Sequence, residues 1–372
     1  MTRPPPRPPL LPGALPPVDP TLQARARGTL AQPTPRFDRQ SREWQHDGWE
    51  IPEDERSVVR EVREERARSV IAWNTSPDLN FDRAINPYRG CEHGCIYCYA
   101  RPSHAWLGLS PGLDFETRLI ARSDAAQVLD GELRRKGYVV APIALGSNTD
   151  PWQPVEAQHR ITRSVLEILR DWRHPVTITT RGALVERDLD ILAPMAADNL
   201  VEVGVSLTTL DTDLARAMEP RAPTPARRLA MMRALSDAGI PVRLMMAPVI
   251  PGLTDHEIEP ILEAARGAGA RVAWFSLLRL PHEVGALFQD WLARHRPNHA
   301  AKVMARLRAL RDGRDNDGNF HSRFRGEGPM AALLAQRVAL ARKRLGYERK
   351  LPDLDCSLFK PPPRPGDQLS LF

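Results

Sequence analysis

Gly90-Cys91-Glu92-His93-Gly94-Cys95-Ile96-Tyr97-Cys98-Tyr99-Ala100-Arg101 carries three of the chain's four cysteines, spaced C-x3-C-x2-C. Thiolates placed this close are good ligands for soft metals. With Gly90 and Gly94 letting the backbone curl, they suit a cubane iron–sulfur cluster. Such a cluster takes four ligands, so three thiolates leave one iron open. An open position points to chemistry rather than electron storage alone. The rivals are structural zinc, with His93 or Cys356 as fourth ligand, and the burial of small apolar thiols. Zinc sites usually show a second C-x2-C pair, and the sequence has none.

Working outward from the loop, strand-like apolar runs alternate with amphipathic helical windows from about Val70. Ala84–Tyr88 leads into the cysteines, Arg118–Arg122 reads as a short strand and Asp124–Lys136 as a helix. Pro142–Gly146, Val176–Thr180, Leu200–Thr208, Val242–Ile250 and Arg271–Leu280 read as strands. Glu156–Trp172, Leu184–Ala197, Pro225–Ala238 and Asp255–Gly267 read as the helices between them. Alternation of this kind implies parallel pairing through right-handed crossovers, here a partial (β/α)6 barrel. Its active site then belongs at the C-terminal ends of the strands. The cysteine loop, Ser147–Asp150, Thr179-Thr180-Arg181, Ser206–Thr209 and Pro248–Gly252 all fall there.

The flanks differ in texture. Residues 1–36 are proline-rich and read as a disordered tail; residues 37–69 are charged, with a helix expected near Glu53–Ala67. The barrel spans 70–280. Residues 281–350 read as a basic helical extension, with helices at Pro281–His295, His299–Asp312 and Met330–Leu345. The span 300–350 holds 13 Lys and Arg against 5 Asp and Glu. Residues 351–372 are again proline-rich and read as a flexible tail. The whole chain of 372 residues carries a net charge of +6. No stretch approaches the roughly 18 consecutive apolar residues of a membrane helix, and the N-terminus lacks the apolar core of an export signal. Clustered cysteines outside a disulfide framework suit a reducing cytoplasm.

The cysteine loop continues as Pro102-Ser103-His104. Together with Thr149-Asp150-Pro151-Trp152-Gln153-Pro154-Val155-Glu156, Ser206-Leu207-Thr208-Thr209-Leu210-Asp211 and Glu219-Pro220-Arg221-Ala222-Pro223, it resembles the spore photoproduct lyase-like branch of the radical S-adenosylmethionine (SAM) superfamily over about residues 70–350. The resemblance implies a [4Fe-4S] cluster on Cys91, Cys95 and Cys98, with SAM chelating the open iron. One electron would cleave SAM to a 5′-deoxyadenosyl radical that abstracts hydrogen from a substrate, and an electron donor such as flavodoxin or ferredoxin would supply it. Tyr97 would lie near the adenine, Ser147, Asn148 and Thr149 near the SAM amino group, and Ser206 and Thr208 near the ribose. Arg221 would pair with the carboxylate, which a guanidinium binds through two parallel bonds. Spore photoproduct lyase also uses a cysteine outside the cluster as hydrogen donor. No cysteine stands between Cys98 and Cys356, so Tyr99 and Tyr138 are the remaining candidates.

The C-terminal residues Gln368-Leu369-Ser370-Leu371-Phe372 resemble the peptide with which bacterial DNA polymerases and repair proteins bind the replication sliding clamp. With the basic extension, where Arg306, Arg308, Arg311, Arg314, Arg323 and Arg325 are candidate phosphate contacts, this points to a DNA substrate and repair-like chemistry. The alternatives are a radical SAM enzyme on another substrate and a non-catalytic iron–sulfur or zinc adaptor.

Overall fold

The structure is a computed structural model and describes residues 26–38 and 59–363. Its strands, in chain order, are β1 (Glu61–Glu64), β2 (Ile71–Trp73), β3 (Arg83–Ile85), β4 (Tyr88–Arg89), β5 (Arg118–Ala121), β6 (Ile143–Leu145), β7 (Val176–Thr180), β8 (Val201–Ser206), β9 (Val242–Val249) and β10 (Val272–Leu277). Seven of them form one sheet in the order β10-β9-β8-β7-β6-β3-β2. Every pair from β3 to β10 is parallel, and only β2 runs against its neighbour. The six parallel strands are those read from the sequence as the barrel.

Their burial shows the layering. A parallel strand is covered on both faces. β6 is buried along its whole length, and β7 and β8 at all but one position each. The helices Ile161–Asp171, Pro225–Asp237 and Ile258–Gly267 set Val165, Leu169, Met231, Leu235, Ile261 and Leu262 against them in one core. The sheet curls. Cys95, Ile96 and Tyr97, which follow β3, share an apolar cluster with Ile250, beyond β9, and Leu278, beyond β10.

Several local expectations give way to tertiary contacts. Glu61–Glu64, inside the expected helix, is a strand that pairs with β5 in a separate small sheet, β1-β5-β4. Charge alternation suits a solvated edge strand as well as a helix, and the partner decides. The remainder of that expected helix before residue 59 lies outside the described residues. The helix read as Glu156–Trp172 is broken at Arg160, whose φ of 51° is left-handed. There Glu156 accepts the Thr162 and Arg163 N–H groups and so caps the second segment. A helix at Thr212–Met218, capped by Asp211, was not foreseen.

Both terminal segments are structured where they are described. Residues 26–38, of which 26–36 were expected within the tail, lie under the cysteine loop. Glu116 accepts the Gly28 N–H at 2.9 Å, Ala31 accepts the Leu113 N–H at 3.0 Å, and Gln32 donates to Asp114 at 2.8 Å. Residues 348–362 form a strap across the barrel floor, at the N-terminal ends of the strands. Glu348 bonds the carbonyl before β10 (Arg271), Asp355 that before β8 (Asn199), and Lys360 that before β7 (Trp172); Arg134, before β6, donates to the Pro362 carbonyl. Phe359 stacks on Trp172 with centroids 5.4 Å apart and meets His174 edge-on.

His174 makes this floor sensitive to acid. It is fully buried, hydrogen-bonded to Pro175 O and the Tyr138 hydroxyl, and burial brings its pKa down to about 4. An unfolded histidine takes its proton near 6.5. Between these values the unfolded chain binds more protons, so stability is full above about pH 6.5 and falls as pH drops toward 4, by roughly 3 kcal/mol. Urea midpoints at pH 7.5 and pH 5 should differ less in His174→Gln than in the parent chain.

Candidate active site at the barrel mouth

The cysteine loop is mounted on one arginine. Arg101 is fully buried and donates to the carbonyls of Gly94 (3.1 Å), Cys95 (2.9 Å), Pro111 (3.3 Å) and Gly112 (2.9 Å), and to Glu116 at 2.5 Å. A planar fork with five donors suits this convergence of acceptors. Gly94 takes a φ of +67° and packs so closely on Glu116 that a Cβ there would stand 2.7 Å from Oε2. Gln153 clamps the other side, donating to Gly90 O at 3.1 Å and accepting the Glu92 N–H at 2.9 Å.

Cys91 and Cys95 are buried and Cys98 is half-buried. Burial pushes the Cys91 thiol up to about 12 and Cys95 well above its ordinary value. Arg181, at the end of β7, opposes this with its Nη1 2.9 Å from Cys95 Sγ. A cation at a thiol favours the thiolate, the form that binds metal. Among the described residues no three His, Cys, Asp or Glu side chains converge on a single ion. A cubane takes one thiolate per iron and needs no such convergence. The zinc alternative loses one candidate fourth ligand, because Cys356 lies on the floor strap, at the opposite end of the strands; His93 stays beside the loop with its Nδ1 3.5 Å from the Asp150 carboxylate. The thiol-only donor set with one cation beside it therefore fits an iron–sulfur cluster.

Around the loop the strand ends supply a buried polar network. Glu219 accepts from the hydroxyl of Tyr97, from Arg228, from Arg181 at 2.9 Å and from Thr208 at 3.3 Å; Tyr97 and Thr208 are themselves 3.1 Å apart. Arg228 continues to Ser206 O at 3.1 Å. Asp150 accepts from Thr180 and from the Arg181 N–H, which ties the tips of β6 and β7 together. Asn86 bonds the backbone N–H groups of Asn148 and Thr149 and the Ser147 hydroxyl. Tyr97, Ser147, Asn148, Thr149, Ser206 and Thr208 thus stand together at the mouth.

Arg221 is placed differently. Its guanidinium meets the buried Glu92 at 3.0 Å, opposite Arg60, which reaches the same carboxylate at 3.1 Å. The cation beside the thiols is Arg181. Arg181 was placed at a strand end and Glu92 within the cysteine loop, but neither was given a role, and Arg228 was not singled out in the sequence. The only signal for Arg181 was its position directly after a β-branched strand. Tyr99 stays at the mouth, donating to Ser147 O, whereas Tyr138 belongs to the floor with His174 and is removed as a candidate donor.

The arginines expected to meet phosphates are largely committed elsewhere. Arg311 is buried, donating to Leu278 O; Arg306 pairs with Asp255, Arg308 with Asp315, and Arg323 with Asp78. Arg314 turns back to the Arg311 carbonyl, and Arg325 is exposed. Gln368–Phe372 lie outside the described residues. No described helix is long and apolar enough to cross a membrane.

Known proteins share this outline. The Radical SAM superfamily model matches residues 85–265, from β3 through the helix after β9. Uncharacterised proteins of Mycobacterium tuberculosis and Mycobacterium bovis are 38% identical over 234 residues, which cover 62% of this chain and 68% of theirs. Among solved structures, spore photoproduct lyase complexed with dinucleoside spore photoproduct aligns with a TM-score of 0.54 and 13% identity, covering 79% of this chain and 82% of that one. At that identity the likeness speaks for the fold. With the three-cysteine loop mounted at the mouth of six parallel strands, the conclusion is that this chain belongs to the radical SAM superfamily and is a radical SAM enzyme.

Proposed function

We propose that the enzyme acts on DNA in a repair-like reaction, with a [4Fe-4S] cluster on Cys91, Cys95 and Cys98. The observation that carries the chemistry is the buried thiol loop with Arg181 on the Cys95 sulfur, facing the hydroxyl-lined strand ends. When bound, the cluster and SAM supply one-electron cleavage of SAM and hydrogen abstraction. The chain's own residues position SAM and exclude water. Arg181 takes the place of Arg221 as the cation for its carboxylate, because Arg181 lies against the Cys95 sulfur whereas Arg221 points to Glu92. Ser147, Asn148 and Thr149 serve the amino group, Ser206 and Thr208 the ribose, and Tyr97 the adenine. Gln368–Phe372 recruit the enzyme to the sliding clamp, and an external electron donor of flavodoxin or ferredoxin type reduces the cluster.

Reconstituted anaerobically and given dithionite, the protein should release 5′-deoxyadenosine from SAM. With DNA carrying deuterated lesions, deuterium should pass into that 5′-deoxyadenosine. Release without transfer from any lesion moves the reading to a substrate other than DNA. Equal retention on immobilised clamp of chains with and without residues 368–372 removes the clamp from it.

A further inference from the structure

A second cationic surface lies at the rim of the mouth, outside the site above. It is a cleft of about 580 Å³ between the loop that follows β9 and the helices Pro297–Ala309 and Gly328–Arg344. Its walls carry His256, His299, Lys302, Arg306 and Arg337. Arg306 and Arg337 are steadied by ion pairs to Asp255 and Glu259. Lys302, His256 and His299 are exposed, and their side chains make no hydrogen bond or ion pair with the described residues. Three full cations against two carboxylates leave the cleft positive, with two imidazoles added.

The cleft is built into the fold. Gly252 holds a φ of +85°, and a Cβ there would stand 3.2 Å from Arg306 Cδ and 3.6 Å from Lys302 Cγ. The glycine thus gives the Arg306 stem room over the loop, while the Lys302 stem lies at ordinary contact distance. Its N–H is held by Asp255 at 2.9 Å, the carboxylate that also anchors Arg306. The segment Asp255–Glu257 then opens into the helix Ile258–Gly267, so the positive end of that helix faces the same side. Leu253, in the cleft wall, packs inward in the apolar cluster that holds Cys95, Ile96 and Tyr97. The cleft and the cysteine loop are therefore joined through one apolar cluster.

We propose that this cleft binds the phosphodiester backbone of the nucleic acid whose lesion enters the mouth. The proposal rests on the DNA reading above. A polar, open cleft with an exposed cation holds phosphates without reading bases, which positions a substrate for chemistry nearby. It also narrows the basic footprint that composition alone had spread over the arginines of 306–325 to exposed Lys302, flanked by Arg306 and Arg337 on their carboxylates.

The test is fluorescence anisotropy of a labelled single-stranded oligonucleotide against the full, reconstituted chain across a salt series. Lys302→Glu/His299→Glu should weaken binding about tenfold at low salt and make the logarithmic salt slope shallower by about one, as expected for one lost phosphate contact. Lys302→Arg should keep both affinity and slope. An unchanged slope in the double variant overturns the cleft while leaving the DNA reading in place. A parent chain that binds no nucleic acid at any salt overturns both. Displacement of the oligonucleotide by millimolar inorganic phosphate at constant ionic strength would assign the cleft to a free phosphate and overturn the backbone reading.

Discussion

Arg101→Ala should yield a chain that melts far below the parent and retains little iron after reconstitution. The guanidinium satisfies four backbone carbonyls and one carboxylate, all out of water. Removing it leaves Glu116 as a buried charge with the Gly28 N–H as its main partner, and burial already pushes the Glu116 carboxyl up. Breaking one side of a buried pair costs about 3–5 kcal/mol. Each buried carbonyl left without a donor adds about 1 kcal/mol or more. Together these rival the roughly 5–15 kcal/mol that holds a whole domain folded. Arg101→Lys should recover only part, because an ammonium cannot span carbonyls on both sides of the loop. Calorimetry and iron analysis are the readouts. A variant that melts within a degree or two of the parent would show that the loop is held elsewhere.

Glu219→Ala should rank second. Glu219 is buried at the centre of Arg181, Arg228, Tyr97 and Thr208, so its loss strands one fully buried guanidinium and one largely buried one. The expected loss is again about 3–5 kcal/mol. Glu219→Gln keeps the acceptor oxygen and should lie between the two. Arg181→Ala separates stability from positioning. It should cost less stability than Glu219→Ala, since Arg228 still pairs with the carboxylate, yet weaken SAM binding in equilibrium dialysis more than Arg221→Ala does. The reverse order would return the carboxylate role to Arg221.

The barrel was legible because its strands speak for themselves. Val176–Thr180 is β-branched at every position and Val242–Val249 is mostly apolar with alternate residues buried, and each is followed by helical segments that pack on the sheet. The cysteine loop was legible because its spacing is local. The hidden features depend on partners distant in sequence or on a single side chain. Glu61–Glu64 is a strand only because Arg118–Ala121 lies beside it. Arg160 breaks a helix because Glu156 caps the segment beginning at Ile161. Arg311 counts toward a basic surface in composition but points inward to a carbonyl. Charge summed along a segment cannot tell an arginine facing solvent from one filling a core.

The floor strap sets a length of tether. Its last described residue, Pro363, stands next to Pro362, which Arg134 holds at the end of the barrel opposite the mouth. Nine residues, 364–372, come after it, and fully extended they reach about 30 Å. The proposed clamp contact at Gln368–Phe372 would therefore start from the floor of the barrel, the end opposite the mouth.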